Sequence, residues 1–291
     1  MVETVDITDK KYPKALKEAL SRLVASSGAK KLYYKGNWDE KIFDKCLAVV
    51  GSRRLTSYGK RATEQIVTEC AGAGITIVSG FMYGGDEAAH SAAVKAGGRT
   101  IAVMPCGVDV IFPPQQKELY NKILENNGLI ISEYPESFKP ITYSFVQRDR
   151  IVAGLCKAVF VTEAALGSGS LITASYAQKM GKKVFALPGQ IFSEVSKGTN
   201  KLIKEGAEIV SEPNDILSYF KILVSQKKYT KPVPASANTL EQKIINQLNC
   251  EAMKADELAR LFAVPVAHLG TTLTMMQLKG IINLDNGKYY I

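Results

Sequence analysis

The chain has 291 residues, 46% of them hydrophobic and 22% charged, a balance that suits a folded globular protein and excludes a disordered or fibrous one. No apolar run reaches the roughly 18 to 20 residues of a membrane span, and the N-terminus opens on Glu3, Asp6, Lys10 and Lys11 rather than an apolar signal core, so a cytoplasmic protein without a membrane partner is expected. The formal net charge of +9 suits a polyanionic partner.

From residue 46 onward, short apolar blocks alternate with amphipathic ones. Strands are predicted at 46–50, 75–79, 100–104, 128–132, 158–162 and 183–187, with a further one at 207–210. Each is rich in β-branched residues, as strands buried on both faces are. Helices are predicted over 58–73, 86–97, 115–126, 145–157 and 170–181. Repeated βα units imply an α/β, doubly wound, mainly parallel sheet with helices on both faces. Ligands on such sheets bind outside the carboxyl ends of the strands. Residues 225–238, with lysines, two prolines and small polar residues, read as a linker. Beyond it, Leu240, Ile244, Ile245 and Leu248 fit one helix face, Leu258, Leu261 and Phe262 a second, and Val266, Leu269, Leu273 and Met276 a third. Asp285-Asn286-Gly287 then signals a hairpin. Three helices and a hairpin predict a small winged-helix-like domain over 239–291.

Cysteines and histidines carry little signal. The five cysteines include no C-x-x-C pair, and there are only two histidines, so neither a disulfide framework nor a metal centre is expected, and no cofactor. The βα junctions are richer. The first reads Gly51-Ser52-Arg53-Arg54-Leu55-Thr56-Ser57. Its glycine permits a sharp turn, its hydroxyls can cap the next helix, and its arginines suit phosphate. A capped helix with solvated arginines explains the same residues. Asp86 and His90 stand at i and i+4 on a predicted helix, which fits a cap and core packing better than a catalytic pair, since no nucleophile accompanies them. Gly167-Ser168-Gly169-Ser170 enters another helix as an anion nest or a capping loop, without the Lys-Ser/Thr ending of a Walker A loop. Lys139, Phe145, Arg148 and Arg150 alternate cations with an aromatic. Such a set suits an unpaired strand, with phosphates on the cations and a base on the ring; core packing of Phe145 and acid partners for the arginines are the other possibility. Gly198-Thr199-Asn200 starts a last helix at the same sheet edge.

Taken in order, the blocks YPKAL (12–16), LYYKG (32–36), VGSRRLTSYG (50–59), SGFMYGGDEAAH (79–90), GGRTIAVMPCGVDVIFPP (97–114), GLIISEYP (128–135), FVQRDRIVAGL (145–155), GSLITASYA (169–177), VFALPG (184–189) and GTNKLI (198–203) resemble the DprA/Smf family of DNA-processing proteins of bacterial transformation. The resemblance implies an extended Rossmann domain over 46–224, with residues 1–45 as a lead-in packed on it. It implies a homodimer that binds single-stranded DNA without catalysis, helps load RecA recombinase and contacts the single-strand-binding protein. By the same resemblance, Arg53 contacts phosphate, Lys139 lies near a basic pocket position, Phe145 lies beside bases, Arg148 and Arg150 match paired arginines, and Gly167, Ser168, Gly169 and Ser170 form the pocket floor. Gly51, Ser52 and Asn200 complete the DNA-binding candidates. Two departures stand out. Tyr83 replaces a family cation, and Asp149 sits between the two arginines. The competing class is a nucleotide-processing enzyme of the lysine-decarboxylase-like Rossmann group, whose Pro-Gly-Gly-x-Gly-Thr loop is matched only poorly by residues 163–168.

Overall fold

The structure, a computed structural model, describes residues 2–23, 29–222, 239–285 and 287–291. The linker predicted at 225–238 therefore lies outside the described residues, apart from the chain's compact division into units 1–224 and 225–291.

The larger unit is built on a nine-stranded sheet. Its strands are β1 (Glu3–Asp6), β2 (Lys31–Gly36), β3 (Cys46–Val50), β4 (Thr76–Ser79), β5 (Thr100–Val103), β6 (Leu129–Ser132), β7 (Ala158–Val161), β8 (Lys183–Ala186) and β9 (Glu208–Ile209). They lie in the order β1-β2-β6-β5-β4-β3-β7-β8-β9. β3 to β9 run parallel, while β2 is antiparallel to β6 and β1 to β2. β1 and β2 were not expected from the apolar blocks. β2 alternates buried Leu32 and Tyr34 with more exposed neighbours, the pattern of a strand covered on one face.

Alternation along the central strands divides the core between the two faces. Cys46, Ala48 and Val50 of β3 join one apolar cluster, and Leu47 and Val49 the other. The first cluster is covered by α1 (Lys14–Ser21), α5 (Thr142–Leu155) and α6 (Gly169–Lys179), the second by α2 (Ser57–Gly72), α3 (Gly85–Lys95) and α8 (Pro213–Tyr219). α4 (Lys117–Glu125) packs over β5 and β6, and α7 (Lys197–Lys204) against β8. This is the doubly wound α/β architecture. Its strand order reverses at β3, so the crossovers leaving β3 and β7 go to opposite faces and open a crevice between their carboxyl ends.

The smaller unit contains α9 (Thr239–Cys250), α10 (Ala255–Phe262), α11 (Val266–Leu278) and the antiparallel pair β10 (Asn283–Asp285) and β11 (Lys288–Tyr290). Ile244, Leu248, Leu258, Leu269, Leu273, Met276 and Ile282 form its core. This is a winged-helix arrangement. The five cysteines are free, four of them buried.

Candidate nucleic-acid interface

The crevice is made by backbones in close passage. Ser52 N–H donates to the Glu163 carbonyl at 2.7 Å, and Gly85 N–H to the Ser52 carbonyl at 3.1 Å. A Cβ on Gly85 would stand 2.6 Å from Gly51 Cα, and one on Gly51 would collide with Thr162 Oγ1. Gly84 adds a φ of +75°, a conformation that glycine adopts without penalty. These glycines let three connections meet at one edge.

Glu163 organises the start of α2. Its carboxylate accepts from Thr56 N–H at 2.8 Å and Thr56 Oγ1 at 2.5 Å. Thr56 in turn caps the helix by accepting from Gly59 N–H at 3.1 Å. An acid ending a buried strand opposite a Ser/Thr-rich helix start was the available signal for its actual role.

With the loop so held, Arg53 is exposed, and its guanidinium lies 5.6 Å from the centre of the Phe145 ring. Phe145 also meets Phe112 edge-on at 6.0 Å. A cation from the β3–α2 loop and an aromatic from the first turn of α5 are thus brought together at the switch point. Arg54 and Lys139 are exposed as well. Gly167 takes φ +84°, Ser168 and Ser170 share a hydroxyl–hydroxyl bond of 2.8 Å, and Gly169 faces open space. The first amides of α6 lack intrahelical acceptors by position and stand on the β7 side of the crevice.

Three candidates are placed differently from the expectation. Arg148 is only 4% exposed. It donates to the carbonyls of Gly80 and, at 2.6 Å, Val103, and through Nε to Asp149 at 3.1 Å. Arg150 is 3% exposed and pairs with Glu133 and Gln147. Both guanidinium groups are committed inside the fold, where they tie α5 to the carboxyl ends of β4, β5 and β6, instead of facing phosphate. Asn200 turns its amide onto Gly189, accepting from its N–H at 3.2 Å and donating to its carbonyl at 3.1 Å; it braces a loop.

Asp149 pairs internally, and burial pushes it up to about 6 against the pull of Arg148 and Arg53. Asp86 is buried, accepts from Met82 N–H at 3.2 Å, and is also raised by burial. His90 is fully buried against Thr100, and burial lowers it to about 3. Asp86 and His90 are therefore core residues. Tyr83 bonds Gln115 at 2.7 Å. Among the described residues, no group of three or more metal-ligating side chains is found, and no single helix is long and apolar enough to cross a membrane.

Comparison with known proteins agrees with this architecture. Residues 3–221 match the family model for DNA recombination-mediator protein A, and residues 228–288 match the DprA winged helix domain. The DNA processing protein DprA of Streptococcus pneumoniae is 44% identical over 190 residues, 65% of this chain and 66% of that protein. Protein Smf of Escherichia coli is 36% identical over 84% of this chain and 67% of its own length. The chain thus spans about two thirds of these relatives. Among solved structures, the S. pneumoniae protein superposes with a TM-score of 0.68 at 38% identity, covering 77% of this chain and 75% of that one. DNA processing protein A of Helicobacter pylori, in a structure concerned with its single-stranded DNA binding mode, gives 0.64 at 34% identity, covering 76% and 96%.

Proposed function

The chain belongs to the DNA recombination-mediator protein A (DprA/Smf) family, and from that premise we propose that it binds single-stranded DNA without sequence preference at the β3/β7 crevice and assists the loading of RecA recombinase during DNA uptake, as a binding protein and not a catalyst. The observation that carries this reading is the pairing of exposed Arg53 with the Phe145 ring at the switch point. A phosphate drawing the guanidinium outward frees the ring face it covers, and an unpaired base takes that face. Stacking of this kind tolerates any sequence, because every base has a π-face. The amides opening α6 and the side chains of Ser52, Ser168 and Lys139 offer further phosphate contacts. In duplex DNA the bases are stacked on each other, so the ring gains nothing from them.

The same reading makes the protein a cytoplasmic homodimer. Two crevices on one strand raise avidity through effective concentration. RecA and the single-strand-binding protein are its protein partners.

Arg53→Ala tests the crevice. Anisotropy titrations with oligo-dT should show binding weakened about tenfold, with a salt slope shallower by about 1. A variant that titrates like the parent protein refutes the assignment.

A further inference from the structure

The Arg53–Phe145 pair is one arc of a closed rim. The Phe145 ring meets Phe112 edge-on at 6.0 Å, and Phe112 opens the run Phe112-Pro113-Pro114-Gln115. The Gln115 carboxamide oxygen accepts from the Tyr83 hydroxyl at 2.7 Å. Tyr83 precedes Gly84, which lies against the Arg53 loop: a Cβ on Gly84 would collide with the Ser52 carbonyl oxygen and stand 2.8 Å from that of Arg53. Contacts thus run from Arg53 through Phe145, Phe112, Gln115 and Tyr83 and back to the loop that carries Arg53. The β4–α3 and β5–α4 connections complete what the β3–α2 loop and α5 begin.

Neither new member hangs on a loose segment. Tyr83 follows Met82, which is 6% exposed and donates its N–H to the buried Asp86 carboxylate at 3.2 Å. Gln115 precedes Gln116, which is 5% exposed and donates its N–H to the Pro113 carbonyl at 3.1 Å. Yet Tyr83 is 40% exposed, and Gln115 is exposed as well. A ring is therefore kept in water with its backbone anchored behind it and its hydroxyl tethered at the tip. Tyrosine has few rotatable bonds, so a ring held this way meets a ligand at little cost in conformational entropy.

Charge decides which part of a nucleotide this side of the rim suits. No charged residue occurs from Val110 through Gln116, in contrast to Arg53 and Arg54 on the β3–α2 loop. Phosphate is drawn to the arginines, and the uncharged side is left to the uncharged part of the nucleotide, its base. With its oxygen engaged by Tyr83, the Gln115 carboxamide keeps its N–H donors. Every base carries an acceptor for such a donor, so the contact tolerates any sequence, as stacking on a ring does.

We propose that Tyr83 and Gln115 form a second nucleobase contact of the crevice: the tyrosine ring stacks on a base of the strand whose phosphate Arg53 holds, and the carboxamide donates to that base. The inference rests on the single-strand reading given above and adds two residues that bind without charge.

The test uses the full chain and separates base from phosphate by salt and by ligand. Tyr83→Ala should weaken oligo-dT about tenfold in anisotropy titrations with the salt slope unchanged, whereas Arg53→Ala makes that slope shallower by about 1. Gln115→Ala, at an exposed position, should weaken oligo-dT about threefold, again at the parent slope. An oligomer of equal length built from abasic deoxyribose phosphates should bind both variants as it binds the parent protein, and bind Arg53→Ala less well. Parent-like oligo-dT affinity in both variants overturns the proposal. So does a loss that appears equally with the abasic oligomer or that makes the salt slope shallower, because the residues would then act on the backbone or through the loop's shape. In either case a weakened Arg53→Ala leaves the crevice standing. If Arg53→Ala also titrates like the parent, the single-strand reading itself fails and this inference falls with it.

Discussion

Arg53 and Arg148 stand at the same end of the sheet, one in water and the other beneath it. Their sequence contexts look alike, an arginine beside a loop glycine or an aromatic, and composition cannot separate them. Helical spacing carries part of the answer. Arg148 and Arg150 are two apart on α5, about 200° around the helix, so both cannot face one groove. What the sequence does not show is the acceptor set that takes each one in: the Gly80 and Val103 carbonyls for Arg148 and Glu133 for Arg150. The two kinds of arginine should separate in urea unfolding. Arg148→Ala leaves Asp149, Asp86 and two carbonyls without their cation and should cost about 3–5 kcal/mol, whereas Arg53→Ala should change stability by no more than ~0.5 kcal/mol. Equal costs would contradict the division of roles. Asp149 adds a pH dependence. Burial raises its folded-state pKa to about 6, above the unfolded value, so the stability it contributes is present at low pH and lost as pH rises through about 6. Its neighbours are Arg148, Arg53 and Asp86. Taking up a proton there removes a negative charge facing Arg53. Affinity for oligo-dT should therefore rise between about pH 7.5 and about 5.5, and Asp149→Asn should flatten that response. An identical rise in the variant would place the titrating group elsewhere.

At the scale of elements, β3 to β8 could be read from apolar blocks because both their faces are covered, and burial on both sides leaves no polar alternation to confuse them. β1 and β2 were harder. Lys31, Tyr33 and Lys35 interleave with the buried residues of β2, and pairing to β6 is a long-range antiparallel contact that no local pattern specifies. α8 escaped for a different reason: it is seven residues long, with Pro213 at its start and Asp215 capping back to Glu212 N–H, too short for a periodicity. The site was legible as a set of loops, since Gly51, Gly84 and Gly85 mark the close passage. Which backbone each glycine admits was not. Gly85→Ala would press a methyl onto Gly51 Cα and N, backbone atoms that cannot turn aside. We expect a loss of about 1–3 kcal/mol in thermal unfolding, together with weaker oligo-dT binding. Unchanged stability would mean that the two loops are not in contact.

For the whole molecule, the division of charge matters. The winged-helix segment 236–291 has five basic and five acidic residues, and α11 carries no charged side chain, so it lacks the cations that readers of duplex grooves bring. Strand affinity should reside in the larger unit. A chain lacking residues 236–291 should keep most of its affinity for oligo-dT in anisotropy titrations, and a large drop would assign strand binding to the smaller unit as well. The account as a whole is tested most directly by titrating the full chain with matched single-stranded and duplex oligonucleotides at low and high salt. It predicts tighter binding of the single strand, with an affinity that falls by roughly 0.7 log units per contacted phosphate for each tenfold rise in salt. Equal or stronger binding of the duplex, or a single-strand affinity indifferent to salt, would contradict it.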